Sequence, residues 1–397
     1  MTNTPQVTTT QVGIVGGGPA GLMLAHLLAR AGIDSVVIDS RSRIEIEQTV
    51  RAGILERDSV RLLTETGVSD RVLNEGDEHE GTFFGFGGEL HHISFKELAG
   101  ASVWLYPQTD VFIDLANAHT AAGSDVRFGV TDTSVHDLTG DRPTIRFRDA
   151  EGLAQQIECR YVVGADGSHS MCRRSIPEDQ RRQYFKEYPF AWFGILCEAP
   201  KSAPELIYNH SERGFALISQ RTETMQRMYF QCDPDEEVDA WSEDRVWSEL
   251  QARVGANGHQ LQQGPIIDKA VLRFRSFVLE PMRYGKLLLA GDAAHTVPPT
   301  GAKGLNLALQ DVKVLAEVLE RVLGGTDDAI LDTYTERALA RVWKAQNFSY
   351  WMTSMLHLPP GGDEFDLRRQ VGELRSVIDS AAGSAYLAEA YTGWPTS

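Results

Sequence analysis

The sequence predicts an α/β fold: a doubly wound, largely parallel sheet, with a mixed β-sheet inserted into it and a helical segment at its end. Three observations predict it. A strand, a glycine-rich turn, a helix and a second strand follow one another directly at the start of the chain. Segments in the middle alternate apolar and polar residues with period 2. Near the end, an apolar strand leads into a long amphipathic helix.

In order along the chain, Val12 to Val15 is a short apolar strand, and Gly16-Gly17-Gly18-Pro19-Ala20-Gly21 is the turn. The helix that follows carries Leu24, Leu27, Leu28 and Ala31 at i, i+3, i+4 and i+7, and Gly32 ends it. Ser35 to Ile38 is the second strand and stops at Asp39. Such a unit of about 30 residues opens a doubly wound sheet. The strands expected in the middle are Leu206 to Tyr208, Phe215 to Ser219, Gln226 to Cys232 and Ala270 to Phe277. In the third of these, Arg227, Tyr229 and Gln231 alternate with Met228, Phe230 and Cys232, which puts the polar trio on one face. Lys286 to Ala290 returns to a strand, and Leu305 to Leu323 is a helix closed by Gly324-Gly325. The doubly wound part is therefore discontinuous in sequence.

A chain of 397 residues with 42% hydrophobic and 23% charged residues has the composition of a globular protein of about two domains. Its 38 basic and 55 acidic residues give a net charge of −17, which argues against nucleic acid or an anionic membrane as partner. Cys159, Cys172, Cys197 and Cys232 have no metal-like spacing, so no metal is expected and the thiols suit a reducing cytoplasm. The Thr-rich start, Met1 to Gln11, has neither the charge nor the apolar run of an export signal and is expected to fray. No apolar run reaches the roughly 18–20 residues of a membrane span.

Gly16-x-Gly18-x-x-Gly21 between a strand and a helix is a dinucleotide fingerprint. Its glycines permit the tight turn, the approach of backbone to a pyrophosphate, and close helix–sheet packing. The helix N-terminus adds free N–H groups for the phosphates. Asp39 follows Gly16 by 23 residues, where an acid binds ribose hydroxyls. Ala165-Asp166-Gly167 ends another strand; taken alone it reads as an Asp-Gly turn. Leu289-Ala290-Gly291-Asp292-Ala293-Ala294-His295 places an acid at the end of an apolar strand, ahead of Pro298-Pro299-Thr300-Gly301 and a helix. Asp292 there suits the hydroxyls of a cofactor tail, although a helix cap would also explain it. There is one fingerprint only, so one dinucleotide is expected to be resident and a second to visit.

The three motifs, in this order and spacing, resemble the group A flavoprotein monooxygenases. Further segments extend the resemblance from about Gln11 to Tyr391, towards the hydroxybenzoate-hydroxylating members: Arg51-Ala-Gly-Ile-Leu-Glu56, His79-Glu80-Gly81, Gly214-Phe-Ala-Leu, Ser219-Gln-Arg221, Val297-Pro-Pro-Thr-Gly-Ala-Lys-Gly-Leu-Asn306 and Trp351-Met-Thr-Ser. The resemblance implies a Rossmann-like FAD-binding domain of the GR2 type over 1–72, 101–178 and 278–345. It implies a substrate domain over 73–100 and 179–277 and a helical interface segment over 346–397. It implies FAD, reduction by NADH or NADPH, and hydroxylation of 4-hydroxybenzoate at C3 by O2 through a flavin C4a-hydroperoxide, in a cytoplasmic homodimer.

By the same resemblance, Arg221 would hold the substrate carboxylate with Ser219 and Tyr229, a role its planar fork suits. Tyr208 would bond the phenol oxygen, with Tyr391 behind it and His79 completing a proton path to solvent; Pro299 would line the pocket. Read without the resemblance, Tyr391 is a core aromatic. Gly16, Gly18, Gly21 and Asp39 would bind the adenosine end of FAD, and Arg51 and Gln108 its pyrophosphate and tail. Asp292 would bind the ribitol, Leu305 and Asn306 would lie near the ring with Arg227 beside it, and Asp166 would lie between the cofactor sites. Arg51, His169, Arg173 and Arg275 are the candidates for nicotinamide contacts. The segment after Asp39 departs from NADPH-preferring members: Glu45 would repel a 2′-phosphate, whereas Arg41 and Arg43 could attract one. NADH is therefore expected to serve at least as well. The competing readings are a hydroxylase of an isomeric hydroxybenzoate or aminobenzoate, a flavin reductase or oxidase, and an FAD-holding sensor.

Overall fold

The structure, a computed structural model, describes residues 5–49 and 53–394. Arg51 lies outside the described residues. A six-stranded sheet has the spatial order Arg283–Tyr284, Leu287–Leu289, Tyr161–Gly164, Val12–Val15, Ser35–Asp39, Val126–Phe128. All its neighbours run parallel except the edge strand Arg283–Tyr284. Val12–Val15, Tyr161–Gly164 and Leu287–Leu289 are buried at every residue, which is why they read as continuous apolar runs. From Val12–Val15 the chain adds strands to one side, then returns to the other at Tyr161–Gly164. The carboxyl ends of these two strands are the switch point at which doubly wound sheets bind ligands.

The helix Pro19–Arg30 starts with proline at its first turn and buries Leu22, Met23, Leu24, Ala25 and Leu28 against this sheet. The expected strand ends at Asp39 as read, and the late helix spans Gly304–Leu323. One expectation fails. Gln6–Thr9, within the start expected to fray, pairs in parallel with Ala154–Glu158 in a four-stranded sheet. Cross-strand partners supplied from far along the sequence hold it, and local composition carries no trace of them.

An eight-stranded sheet forms the second body, in the order His295–Thr296, Ile266–Glu280, Arg182–Glu198, Met225–Cys232, Ala216–Thr222, Ile207–Asn209, Gly81–Phe86, Glu89–Ser94. It is mixed, because Ile207–Asn209 runs parallel to Gly81–Phe86 while the other neighbours are antiparallel. One face packs Phe193, Ile195 and Ile218 against Val246, Leu250 and Val254 of the helix Glu243–Gly255. Phe84, Trp192, Phe215 and Tyr229 pack in a second cluster with Phe348, Met352 and Leu356 of the helix Asp332–Leu356. Leu374 and Tyr391, from the helices Glu364–Ile378 and Ala381–Thr392, complete that cluster.

Candidate active site

A continuous cleft of about 1510 Å³ runs from the switch point of the parallel sheet to the inner face of the mixed one. At the first end the glycines divide the work. Gly16 has φ +112°, and a Cβ on it would lie 2.2 Å from the Ala165 carbonyl oxygen, so the ends of the strands Val12–Val15 and Tyr161–Gly164 meet only because it is glycine. A Cβ on Gly21 would fall 1.8 Å from the Gly16 oxygen. Gly18 has nothing within 4 Å and faces the open cleft. The helices Pro19–Arg30 and Gly304–Leu323 both begin at the cleft, and neither N-terminus carries a side-chain cap. Bare glycine backbone and two uncapped helix ends fit a pyrophosphate flanked by its two nucleosides.

The acids here behave differently from one another. Asp39 accepts from the Gly17 amide at 2.8 Å, and Arg41 bonds its two oxygens at 3.2 and 3.1 Å. Asp166 accepts from Ser170 Oγ at 2.5 Å and from the Cys172 amide at 3.0 Å, so its carboxylate organises the loop while the loop lines the cleft. Asp292, Gln108 and Leu305 line the cleft too. Asn306 does not: its amide joins the Glu56 amide, the Ile54 carbonyl and the Ala302 carbonyl at 2.9, 2.8 and 3.0 Å, and so fastens the strand Ile54–Glu56 to the helix start.

The candidates for nicotinamide contacts also separate. His169 and Arg275 line the cleft. Arg173 sits beneath it, donating to the carbonyls of Ser168, Ala293 and Asp292 at 2.5, 2.8 and 3.4 Å. It ties the Asp166–Gly167 loop to the Gly291–Ala293 turn.

At the other end, period-2 geometry gathers the polar residues on one face. Tyr208 pairs with Leu217, and Leu217 with Tyr229; Ser219 pairs with Arg227 one step along. Tyr208, Ser219, Arg221, Arg227, Tyr229 and Pro299 all line the cleft. Arg221 makes no hydrogen bond among the described residues. Burial, then the neighbouring Arg227, disfavours its charge. A guanidinium does not deprotonate in proteins, so it is a half-buried cation with no hydrogen bond or ion pair among the described residues, and Asp110 favours its charge only from a distance. Arg227 Nε and Nη1 are buried without a hydrogen bond, and Asp268 is 3.6 Å away.

Tyr208 Oη lies 2.8 Å from Tyr391 Oη. Burial pushes Tyr208 up to about 12 and raises Tyr391 well above the ordinary tyrosine value, so both stay protonated near neutrality. Tyr391 stacks on Phe95 at 4.8 Å and does not reach the cleft. His79 is fully buried, with Nε2 3.3 Å from Asp77 and Nδ1 unpartnered. Among the described residues it bonds neither tyrosine. Burial holds its pKa below the usual value.

A family model described as an FAD binding domain matches residues 9–349. Over 392 residues the chain is 43% identical to the p-hydroxybenzoate hydroxylase of Acinetobacter baylyi, covering 98% of this chain and 96% of that one. The chain belongs to the FAD-binding aromatic hydroxylases. A probable NADH-specific resorcinol 4-hydroxylase of Rhodococcus jostii is 28% identical over 344 residues, 81% of this hydroxylase and 61% of that chain. Among solved structures, p-nitrophenol 4-monooxygenase from Pseudomonas putida DLL-E4 superposes with a TM-score of 0.83 at 20% identity, over 98% of this chain and 100% of that one, which is a likeness of fold.

The hydroxylase holds two further pairs that sequence reasoning missed. His295 Nε2 lies 2.6 Å from Asp311 Oδ2, which also accepts from the Gly291 amide at 2.9 Å. Both side chains are buried, and Asp311 comes from the second turn of the helix Gly304–Leu323. Lys303, 1% exposed, donates to Glu56 at 2.6 Å and to the Tyr391 carbonyl at 2.8 Å. The signal for Asp311 was present, since an acid on the buried stripe of an amphipathic helix requires a partner.

Proposed function

We propose that this hydroxylase converts 4-hydroxybenzoate to 3,4-dihydroxybenzoate with FAD, O2 and NADH or NADPH. The carrying observation is the unpartnered Arg221 at one end of a sheet face whose other end presents the Tyr208–Tyr391 hydroxyl pair. Arg221 lies four residues along its strand from Leu217, the register partner of Tyr208. At the strand rise that is roughly 13 Å between Cα atoms. Two long side chains closing over that span suit an aromatic ring with an anion at one end and a phenol at the other. The 43% identity to p-hydroxybenzoate hydroxylase points to the same substrate.

FAD, when bound and reduced, supplies the oxygen-activating chemistry. The chain supplies the rest. Arg221, Ser219 and Tyr229 fix the carboxylate, and Pro299 bounds the ring. The phenol passes its proton to Tyr208 Oη as Tyr208 passes its own to Tyr391 Oη and Tyr391 releases its own, so each tyrosine ends neutral. His79, held neutral by burial, is the proposed outlet. Gly16, Gly18, Gly21, Asp39, Gln108 and Asp292 are the proposed FAD contacts, and His169 and Arg275 the proposed nicotinamide contacts. A homodimer is proposed from the family resemblance.

NADH oxidation by the FAD-loaded protein, with and without 4-hydroxybenzoate and with product chromatography, tests the reading. Acceleration with 3,4-dihydroxybenzoate formed is the expected result. Acceleration yielding only hydrogen peroxide would mean that the ring is an effector and that the true substrate is another. No acceleration would overturn the proposal.

A further inference from the structure

On the far side of Lys303 from the cleft, a second and smaller cavity of about 20 Å³ is enclosed by Glu56, Asp58, Lys303, Gln310, Arg341 and Trp394. Its volume exceeds the roughly 10–15 Å³ that one water needs. Gln310 is 5% exposed, and both its Oε1 and its Nε2 are buried with no hydrogen-bond partner. The orphaning therefore holds whichever way round the amide lies. Lys303 has a proton to give: of its three, Glu56 and the Tyr391 carbonyl take two, and the Phe348 and Trp394 rings lie beside it at 5.2 and 5.5 Å. A side-chain amide left dry in such a place is costly, and a polar cavity of this size is the ordinary remedy.

We infer that this cavity is a water site, holding one or two ordered waters that join the Gln310 amide to the third Lys303 proton and to the Asp58 carboxylate. The lining provides donors in Lys303, Gln310 and Arg341 and acceptors in Gln310, Glu56 and Asp58, enough for the two to four bonds a buried water makes. The charges around it balance, with two carboxylates against a lysine and an arginine, so a neutral ligand suits the site better than an ion. The water completes a contact series from Gln310 through Lys303 to the backbone of Tyr391. The inference rests on the fold alone, so it stands or falls apart from the choice of substrate.

The test uses the full, FAD-loaded chain without turnover and reads a sign. Gln310→Met keeps the shape and removes both polar atoms. If water satisfies the amide, Tm falls, by roughly 1–2 °C for a chain of this size. A high-resolution crystal structure of the unaltered protein should then show water within hydrogen-bond distance of both Gln310 and Lys303 Nζ. If the cavity is dry, the methionine removes an unsatisfied group and Tm stays level or rises. An unchanged or raised Tm, or a cavity without water in the crystal, overturns the inference.

Discussion

Tyr208 and Tyr391 face each other hydroxyl to hydroxyl at 2.8 Å, and of the two only Tyr208 reaches the cleft. Binding and proton transfer are thereby separable. Tyr391→Phe keeps the ring stacked on Phe95 and removes only the second hydroxyl. The substrate KM should stay within about twofold while kcat falls about 10- to 100-fold, the lower part of what positioned proton-transfer groups contribute. Ultraviolet difference spectra should show less bound phenolate at a given pH. A raised KM with unchanged kcat would place Tyr391 in binding instead.

Arg221 should behave in the opposite way. Its fork makes no hydrogen bond among the described residues, so a ligand carboxylate gains both N–H bonds without displacing one of theirs. Lysine retains the charge and loses the paired geometry. Arg221→Lys should raise KM about 10- to 100-fold, equivalent to roughly 1.4–2.7 kcal/mol, with a smaller change in kcat. Steady-state kinetics in 4-hydroxybenzoate decide it, and an unaltered KM would exclude Arg221 as the carboxylate anchor.

The choice of reductant is written in three engaged side chains. Arg41 is turned onto Asp39. Arg43 is held by Glu47 and Asn117 at 2.6 Å each. Glu45 closes a capping box with Ser42, which lowers its pKa and keeps it ionised. Among the described residues of this segment no free cation awaits a 2′-phosphate, and one fixed anion opposes it. NADH should show kcat/KM equal to or above that of NADPH, and Glu45→Gln should improve NADPH more than NADH. A strong preference of the unaltered protein for NADPH would sink this reading.

What the sequence made legible follows from the range of each interaction. The first βαβ unit was readable because Gly16, Gly21 and Asp39 lie within 23 residues of one another and the Gly21–Gly16 and Gly17–Asp39 approaches are local, whereas the approach of Gly16 to Ala165 was not readable. The polar face of Met225–Cys232 was readable because a period of 2 needs no knowledge of the partner strand. The 17-residue strand Arg182–Glu198 escaped notice, since its first six residues are exposed and show no alternation. The side-chain bonds of Asn306 and Arg173 were not readable for a related reason: folding brought their partners, 250 residues away for Glu56 and 120 for Ala293, whereas Asp166 bonds Ser170 and Cys172 only four and six residues on.

Asp311 gives the fourth prediction. Its Oδ2 holds both the Gly291 amide and His295, so the turn bearing Asp292 depends on a buried carboxylate that does not line the cleft. Asp311→Asn can keep an oxygen in the place of Oδ2 but removes the charge that holds His295, so a charge-assisted bond becomes a neutral one at a cost of about 1–3 kcal/mol. FAD should bind on the order of tenfold more weakly, read by fluorescence titration of the apoprotein, with the substrate KM unchanged once FAD saturates. Normal FAD affinity with lowered stability would make the pair a core contact only.

Acid should destabilise this protein well before its carboxylates titrate. His79, His119, His210 and His357 are buried and held below the usual imidazole value by desolvation, His357 down to about 3. A depressed folded pKa means that the unfolded chain takes up the proton first. Their stabilising effect is therefore complete above the unfolded value of about 6.5 and declines as pH falls below it, by up to about 1.4 kcal/mol per pH unit for each. His295 opposes them. Burial works against its charge, but Asp311 outweighs burial and raises it, so its contribution is present at low pH and lost as pH rises through its folded value. With the half-buried His259 lowered by desolvation as well, five groups against one give a net loss of stability between pH 6.5 and 5, where most carboxylates remain ionised. Urea midpoints measured across that window should fall steadily with acidification, and a flat or rising trend would mean that these histidines become charged within the native fold.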